Sequence, residues 1–555
     1  MNVRTLSSVL SAILLFIFSF TESFAQEVPM IIKDKSTRAA NYLPDFSYAG
    51  YQFGERHIPK KMETTINASD YGVIANDGLD DTEALKKAIV AASKVKGSVL
   101  VQLPVGRIII SDIIYIERSN FVLRGAGTGT KGTEIYFPRP LMYTKDSESL
   151  QELREYLVQF DKRQREKENN IDLPFSQYAW SGGFIWTRVP GVRVKSYLQK
   201  YERPFHVLAK VIKGKKGTHT IEVSSVTDLK AGDVVILQLF NKEGEKGTII
   251  NDMYKGADVK VGSHHWMFPD LPMVKQEVLI TAVSKNKVTI KTPLTIDIKP
   301  SYQAQLSTWE HLEEVGIAHM RLTFPPSPRV AHHVEPGNNG IFLTRVFNSW
   351  VDDIVIENAD SGILTEEIAS VTIQNITTKG TNKAHYTVAM AGVHNVLAKN
   401  INVYNWAVHP LSFNTFSTKN VYLNCEVFVD PILDQHSGAN HQNLFDNITV
   451  HLTPQEDRTY PLFAGGGAPY WKPSHGAYST FWNIKVRLLG GLDDDAPVIL
   501  NGMKDGPLAR VIGVHGNHQF KVVYEPDAYM EFTNRSLEKI PSLYEFQLKK
   551  RLGNH

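Results

Sequence analysis

The stretch NITTKGTNKAHYTVAMAGVHNVLAKNINVYN, residues 375–405, begins and ends with the same short pattern, an asparagine followed by β-branched residues. The pattern recurs along the chain at separations of 22, 25, 24 and 23 residues, with its first residue at Asp353, Asn375, Asn400, Asn424 and Asn447. A period in the low twenties, with short strand signals and no helix between them, is typical of a parallel β-helix, in which each turn stacks on the last. Leucine-rich repeats share this period but need an L-x-x-L-x-L frame, which the sequence lacks.

Two insertions lengthen this coil of strands. The strand-like segment GIAHMRLTF (316–324) precedes the first repeat by 34 residues, and FWNIKVRLL (481–489) follows the last by 36, so residues 325–340 and 463–480 form inserted loops. Loops longer than a turn requires are disproportionately functional. We expect both to project from neighbouring turns and to wall one end of a binding site.

The segment ASDYGVIANDGLDDTEALKKAI, residues 68–89, precedes the repeats and predicts an amphipathic helix capped by Asp81 or Thr82. Its apolar face consists of Ala84, Leu85, Ala88 and Ile89. Alternating strand segments follow at 98–116 and 121–127. This order resembles the opening segment of the pectate-lyase-like superfamily of right-handed parallel β-helices, except that Asn76 stands where the family usually has glycine. The resemblance implies that the helix covers the end of the apolar column, but that fold hosts lyases, hydrolases, epimerases and tailspikes.

The rest of the chain divides by composition. Residues 147–170 predict a charged, solvated surface helix, and residues 205–298 alternate as a small β subdomain would. PSLYEFQLKKRLG (541–553) predicts a C-terminal capping helix. The predicted organisation is therefore a signal peptide (1–25), an N-terminal cap with the first turns (26–140), an inserted helix and β subdomain (141–300), the main β-helix with the site (301–520) and a C-terminal cap (521–555).

The N-terminus and the charge balance limit the location and the binding partners that we expect for the protein. Residues 1–25 carry Arg4, an apolar run and a small-x-small end, which predicts a cleaved secretory signal and a periplasmic or secreted protein without a membrane span. Sixty Lys and Arg against 58 Asp and Glu leave a net charge of +2, which does not favour nucleic acid as a partner. The only cysteine, Cys425, is expected to be a buried, inert thiol. Separately, we expect the protein to be a monomer.

Polar residues, most of them titratable, recur at similar offsets in four successive repeats. Turns of a β-helix stack about 4.8 Å apart, so residues in register span roughly 15 Å. Such a length matches a sugar-binding cleft. The residues are Glu366 and Glu367 in the first repeat, His385 and Tyr386 in the second, His409 and Asn414 in the third, and Asp434 and His436 in the fourth. A purely structural ladder would favour asparagine or aliphatic residues over groups whose charge must be neutralised.

This set suits β-elimination on a uronic acid, in which a base removes the C5 proton and an acid assists the group leaving C4. We predict His385, His409, Asp434 and His436 as catalytic residues. The predicted substrate-binding residues are Arg345, Glu366, Glu367, Asn414, Lys419 and Trp471.

A second resemblance narrows the expected class of substrate. HPLSFNTF, HQNLFDNI, the GGG…W…HG…TFWNI loop and SLYEFQL are similar to secreted β-helix proteins of polysaccharide-degrading marine bacteria, among them the oligosaccharide dehydratases of ulvan breakdown. The resemblance implies elimination of water from a terminal uronate. Cleavage of a glycosidic bond by the same chemistry stays open.

Two other functions are alternatives to this hypothesis, and the question of a metal cofactor is separate from them. A glycoside hydrolase would use paired carboxylates, drawn from Glu366, Glu367, Asp434 and Asp360. A non-catalytic glycan-binding β-helix is the third alternative. We expect no metal cofactor, because the His332–His333 pair has no H-E-x-x-H spacing. Calcium on Asp434, Glu366 or Glu367 is the alternative.

Overall fold

The structure is a computed structural model. It describes residues 28–34, 42–160, 175–192, 194–195, 206–242, 247–255, 271–329, 331–436, 438–467, 475–490, 492, 496–502 and 506–553. The predicted signal peptide, residues 1–25, lies outside the described residues. Among the described helices, none is long and apolar enough to cross a membrane.

The described chain is mostly strand. In chain order the strands are β1 (Thr64–Asn67), β2 (Val99–Gln102), β3 (Gly106–Ile109), β4 (Ile114–Ile116), β5 (Phe121–Arg124), β6 (Thr133–Tyr136), β7 (Ile185–Thr187), β8 (Val207–Gly214), β9 (Thr220–Val223), β10 (Val234–Phe240), β11 (Pro272–Ser284), β12 (Lys287–Ile290), β13 (Gln303–Thr308), β14 (Leu312–Glu313), β15 (Val315–Thr323), β16 (Asn339–Thr344), β17 (Val346–Phe347), β18 (Trp350–Glu357), β19 (Ser361–Glu366), β20 (Thr372–Lys379), β21 (Ala384–Met390), β22 (Leu397–Val403), β23 (Ala407–Phe413), β24 (Val421–Leu423), β25 (Glu426–Val427), β26 (Leu433–His436), β27 (Leu444–Asp446), β28 (Thr449–Leu452), β29 (Thr459–Tyr460), β30 (Gly465–Gly466), β31 (Thr480–Trp482), β32 (Lys485–Leu488), β33 (Val498–Leu500), β34 (Arg510–Ile512), β35 (His515–Gly516), β36 (Phe520–Val522) and β37 (Tyr529–Glu531). The helices are α1 (Met30–Lys33), α2 (Thr82–Ser93), α3 (Glu148–Phe160), α4 (Thr248–Tyr254) and α5 (Leu543–Arg551).

The predicted parallel β-helix is confirmed by the strand pairing. One parallel sheet continues through β1, β2, β5, β15, β18, β20, β22, β24, β27, β31, β34 and β37. A second parallel sheet continues through β4, β7, β16, β19, β21, β23, β26 and β30. From β15 to β31 the chain alternates between the two sheets, so these turns of the coil contribute to both. The last turns contribute instead to a third parallel sheet of β29, β33 and β36.

The repeated Asn or Asp bends each turn of the first sheet. All five repeat positions have positive φ, between 52° and 56°, at Asp353, Asn375, Asn400, Asn424 and Asn447. Asparagine and aspartate tolerate this left-handed conformation better than other side chains with a Cβ. Their side chains also form ladders, because Asn400 Nδ2 donates to Asn375 Oδ1 at 3.0 Å and Asn447 Nδ2 to Asn424 Oδ1 at 2.7 Å. The period in the sequence is therefore the period of the bend.

The core is a column of apolar side chains, one from each turn. Cα register stacks the fully or almost fully buried residues Ile317, Val351, Ile373, Ala398, Tyr422, Phe445, Phe481 and Val511 on successive strands of the first sheet. Burial of this column is the main stabilising contribution expected for a coil without disulfides. Cys425 is a buried free thiol beside it, and burial raises its pKa to about 12.

Helix α2 covers this column with the buried side chains of Leu85, Ala88 and Ala92, as predicted. Asp81, one of the two predicted capping residues, is the N-cap residue, but its side chain makes no capping bond. Its carboxylate accepts from the backbone of Ile74 and Ile109, and Asp80 accepts from the Thr82 N–H at 2.9 Å.

The inserted β subdomain is a closed antiparallel barrel of β8 to β13. It ends at Thr308, and α4 packs into its core with Ile249, Ile250 and Met253. Helix α3, by contrast, is not the solvated surface helix that its charged sequence predicts. Leu150, Leu153 and Leu157 recur on one face and are buried against the main core, since a helix with one apolar stripe must cover it.

The C-terminal helix α5 has Ser542 as its N-cap residue, whose hydroxyl accepts from the Glu545 N–H. The Asp446 carboxylate on strand β27 accepts from the Ser542 hydroxyl at 2.7 Å and from the N–H groups of Leu543 and Tyr544 at 3.0 and 2.8 Å. These bonds tie the last helix to the coil.

Candidate active site

The candidate site lies on the second sheet, where β21, β23 and β26 are neighbours on successive turns. Cα register places Tyr386 beside His409 and Ser412 beside Asp434. The inserted loop between β15 and β16 adds His332 and His333. We call His332, His333, His385, His409 and His436 the imidazole cluster; the ring centroids of its contacting pairs are 3.7 to 6.1 Å apart.

Asp434 is the centre of one half of the site. Its Oδ2 lies 3.0 Å from His409 Nδ1 and 3.4 Å from His436 Nδ1, and it accepts from the Ser412 hydroxyl at 2.5 Å. Its Oδ1 accepts from the Gly466 N–H at 3.1 Å. Burial acts to raise the pKa of Asp434, but the adjacent imidazoles and their hydrogen bonds outweigh it and hold the pKa well below the ordinary value. The carboxylate is therefore ionised.

His409 is positioned by this carboxylate. Burial lowers the pKa of His409 to about 4, against the opposite effect of Asp434. A neutral imidazole whose Nδ1–H faces a carboxylate has its lone pair on Nε2. Among the described residues, His409 Nε2 has no hydrogen-bond partner. The pair thus has the arrangement of a general base and the group that orients it.

Gly466 fits this half because it has no side chain. A Cβ at Gly466 would overlap the His436 imidazole and lie 3.0 Å from Asp434 Oδ1. The glycine-rich loop at 463–480 therefore contributes a backbone that approaches the site closely. Its Trp471, predicted to bind substrate, lies outside the described residues.

The other half surrounds His385. Its Nδ1 lies 3.4 Å from Glu335 Oε1, which is also 3.7 Å from His332 Nδ1. Arg329 Nη2 lies 3.2 Å from His332 Nδ1. Burial, followed by the neighbouring imidazoles, lowers the pKa of His385 and of His333 well below the ordinary value.

The loop that carries these groups is anchored by Asp360. Its Oδ2 accepts from the N–H groups of Gly337 and Asn338 at 3.0 and 2.7 Å, and its backbone carbonyl accepts from the His385 N–H at 2.6 Å. Asp360 therefore has a structural role that positions both the loop and His385.

Tyr386 connects the two halves. Its ring stacks on His385 and on His409 at centroid distances of 4.2 and 4.8 Å. Burial, followed by the charges of Asp434 and Glu335, raises the pKa of Tyr386 well above the ordinary value. The phenol stays protonated and can donate a proton or a hydrogen bond.

The structure thus brings all four predicted catalytic residues together: His385, His409, Asp434 and His436. Among the predicted substrate-binding residues, Asn414 reaches this centre indirectly, because its Nδ2 donates to the Ser412 hydroxyl at 2.8 Å.

The other predicted binding residues are engaged elsewhere. Glu366 forms a buried ion pair with Lys195 at 2.6 Å, and Glu367 pairs with Lys275 of the barrel at 2.6 Å and with Arg345 at 2.7 Å. Lys419 is buried near the Phe46 ring, and burial lowers its pKa to about 8. The carboxylates of Glu366 and Glu367 are already paired with cations, which argues against their use as the two catalytic carboxylates of a glycoside hydrolase.

Sequence reasoning missed Glu335 and Ser412. It placed Tyr386 in the register set and His332 and His333 in a loop that walls the site, but gave these three residues no catalytic or binding role. Glu335 and the two histidines lie in an insertion with no repeat register, so counting offsets from the repeated Asn cannot place them. The available signal was the length of the insertion and its paired histidines.

No family model matches this chain, and no curated protein matches it. Solved structures similar to it include the tailspike protein gp49 of Pseudomonas phage LKA1, with 13% identity over 84% of this chain and 81% of that chain and a TM-score of 0.41. Another is the tailspike gp61 of Pseudomonas phage phi297, with 13% identity, coverages of 84% and 77% and a TM-score of 0.42. A third is DFA-IIIase from Arthrobacter chlorophenolicus A6 without its lid, with 11% identity, coverages of 84% and 93% and a TM-score of 0.38. At these values no residue role or activity transfers to this chain, and membership of the pectate-lyase-like superfamily stays a prediction.

Proposed function

We propose that this protein is a glycan-active lyase that forms a 4,5-unsaturated uronate by β-elimination. The observation that carries the proposal is the pair of His409 and Asp434, with Nδ1 and Oδ2 3.0 Å apart and the opposite imidazole nitrogen without a partner among the described residues. A buried, oriented neutral imidazole is the form that abstracts a proton.

In this mechanism His409 Nε2 takes the C5 proton of the uronate. The electron pair of the C–H bond forms the C4–C5 double bond, and the C4–O bond breaks. The Tyr386 hydroxyl donates its proton to the departing oxygen, and the phenol is protonated again from solvent or from the imidazolium. Arg329, beside His332, supplies positive charge that stabilises the ionised uronate carboxylate as the C5 proton leaves.

The departing group decides between two reactions of the same chemistry. Departure of water from a terminal uronate is dehydration, and departure of a sugar is chain cleavage. The resemblance to ulvan-degrading marine proteins favours dehydration of a uronate-containing oligosaccharide. His332 and His333, on the inserted loop, lie over the His385 side of the cluster, which suits a site closed at one end.

The test is incubation with uronate oligosaccharides, including ulvan fragments, while the ultraviolet absorbance of the conjugated enoate is recorded. We expect the wild type to generate the enoate and His409→Gln to be slower by a factor on the order of 10² to 10⁴. Mass spectrometry of the product distinguishes loss of one water from chain shortening. New reducing ends without the enoate would overturn the proposal.

A further inference from the structure

Buried polar atoms without partners concentrate around His385. Its side chain is 0% exposed, and neither ring nitrogen has a hydrogen-bond partner among the described residues. The Glu335 side chain is 3% exposed, and within the same residues neither carboxylate oxygen accepts a hydrogen bond. Native proteins satisfy nearly all buried polar groups, and an exception indicates a water, an ion or a functional role.

Other buried histidines in this chain behave differently. His394 Nδ1 lies 2.8 Å from the Thr418 hydroxyl, His441 Nδ1 lies 3.1 Å from the Ala439 carbonyl, and His475 Nε2 lies 2.9 Å from the Tyr524 hydroxyl. Each of these structural histidines has one ring nitrogen engaged. Packing alone therefore does not explain why both nitrogens of His385 are left without a partner.

The groups around His385 have the composition of a metal site. One ring nitrogen from each of His332, His333 and His385 lies within 4.8 Å of the other two. Glu335 adds a carboxylate oxygen 3.4 Å from His385 Nδ1. His332 Nδ1 lies 3.2 Å from Arg329 Nη2 and 3.7 Å from Glu335 Oε1. Binding of an ion through His332 Nε2 puts the ring proton on Nδ1, which then faces the Glu335 carboxylate and no longer accepts from Arg329. Three imidazoles and one carboxylate suit a borderline dication such as Zn²⁺.

The second triplet of potential ligands, His409, Asp434 and His436, has no comparable need for an ion. The Asp434 carboxylate already accepts hydrogen bonds from Ser412 and Gly466 and faces two imidazoles. Its charge and lone pairs are satisfied within the protein. The orphaned atoms of that triplet are one ring nitrogen each of His409 and His436, whereas both ring nitrogens of His385 and both carboxylate oxygens of Glu335 lack a hydrogen-bond partner among the described residues. The carboxylate without a hydrogen bond thus lies on the His385 side.

We propose that His332, His333 and His385, together with Glu335, bind one divalent transition-metal ion of the zinc type. Small side-chain rotations bring the ligand atoms to the spacing of a tetrahedral site, in which Zn–N distances are about 2.0–2.1 Å. An ion enters from the inserted loop, where the His332 side chain is 34% exposed. If the proposed function holds, the ion lies next to Arg329 and adds positive charge where the uronate carboxylate binds.

The experiment is a titration of chelator-stripped full-length protein with Zn²⁺ by calorimetry, and with Co²⁺ by visible absorption, in the absence of substrate. We expect His385→Gln and His333→Gln to lose one equivalent of bound metal relative to wild type. His394→Gln, a buried histidine outside the cluster, is the matched control and should keep the wild-type stoichiometry. Circular dichroism verifies the fold, and His332→Gln, a partly exposed loop variant, repeats the test if His385→Gln does not fold.

Unchanged stoichiometry in the cluster variants, or no Zn²⁺ binding by the stripped wild type, overturns the metal site. This result is distinguishable from failure of the proposed function, since enoate formation is measured separately. Enoate formation without metal binding rejects the site alone. Metal binding without enoate formation on any uronate rejects the function alone.

Discussion

His409 Nδ1 lies 3.0 Å from Asp434 Oδ2, although the two residues belong to different turns of the coil. The pair exists because β23 and β26 are neighbours in the second sheet. It joins a neutral imidazole to an ionised carboxylate in a buried site, which is the arrangement that orients a base.

Asp434→Asn tests this orientation. Asparagine keeps the shape but removes the negative charge, so the imidazole loses the acceptor that holds its reactive tautomer. We expect enoate formation to fall by a factor on the order of 10² to 10⁴, with KM changed much less than kcat. Ser412→Ala, which removes a hydroxyl donor to Asp434 together with the acceptor of Asn414 Nδ2, should cost less; equal losses would contradict a special role of the carboxylate.

Tyr386→Phe tests the acid. The ring keeps its stacking on His385 and His409, while the proton donor is lost. We expect kcat to fall by about 10²-fold and the thermal midpoint to change little. The loss should shrink for substrates with a better leaving group at C4, because these need less protonation. A rate independent of the hydroxyl for every leaving group would assign the acid to another residue.

Glu366→Gln tests whether Glu366 stabilises the fold or takes part in the reaction. Glu366 pairs with Lys195 at 2.6 Å, and both side chains are nearly buried, so removing the carboxylate leaves a buried charge unpaired. We expect a loss of about 3 kcal/mol in the free energy of unfolding, measured in urea, with enoate formation retained below the transition.

Glu357→Gln is the matched control for that loss. Its partner Lys379 lies 3.3 Å away, and both side chains are at least 35% exposed, so the loss should stay under about 1 kcal/mol. If Glu366→Gln abolished turnover without loss of stability, the hydrolase alternative would regain support.

Asp446 predicts how stability varies with pH. Burial raises its pKa to about 7, although the Tyr544 N–H, the Ser542 hydroxyl and the Leu543 N–H act in the opposite direction. The unfolded value is about 3.9, so the folded protein binds the proton more tightly. The stabilisation from this group is complete below about pH 4 and is lost as the pH rises through about 7.

The measurement is the thermal midpoint of wild type and Asp446→Asn between pH 4 and 8. We expect the advantage of wild type over the variant to decrease across this range. A difference independent of pH would show that Asp446 does not titrate there and that its hydrogen bonds to the start of α5 account for its whole effect.

Much of the fold was readable from sequence because its signals are local. Asn375, Asn400 and Asn447 mark bends in the left-handed region, and each bend depends on the conformational preference of one residue. The helix over residues 82–93 and the alternating barrel strands are likewise short-range patterns. Repeat spacing also brought His409 and Asp434 into one hypothesis, since stacked turns convert a period into proximity.

The sequence by itself determined the coil, its period, the presence of an inserted β subdomain and the turns that carry the candidate catalytic groups. The closure of that subdomain into a barrel came from the structure. Only the tertiary structure decided the state of each group. Lys195 and Lys275 come from distant segments to neutralise Glu366 and Glu367, and the inserted loop brings Glu335 against His385. The physical reason is that charge, desolvation and hydrogen bonding depend on what lies within a few ångströms, and sequence offset does not contain that distance for residues in insertions.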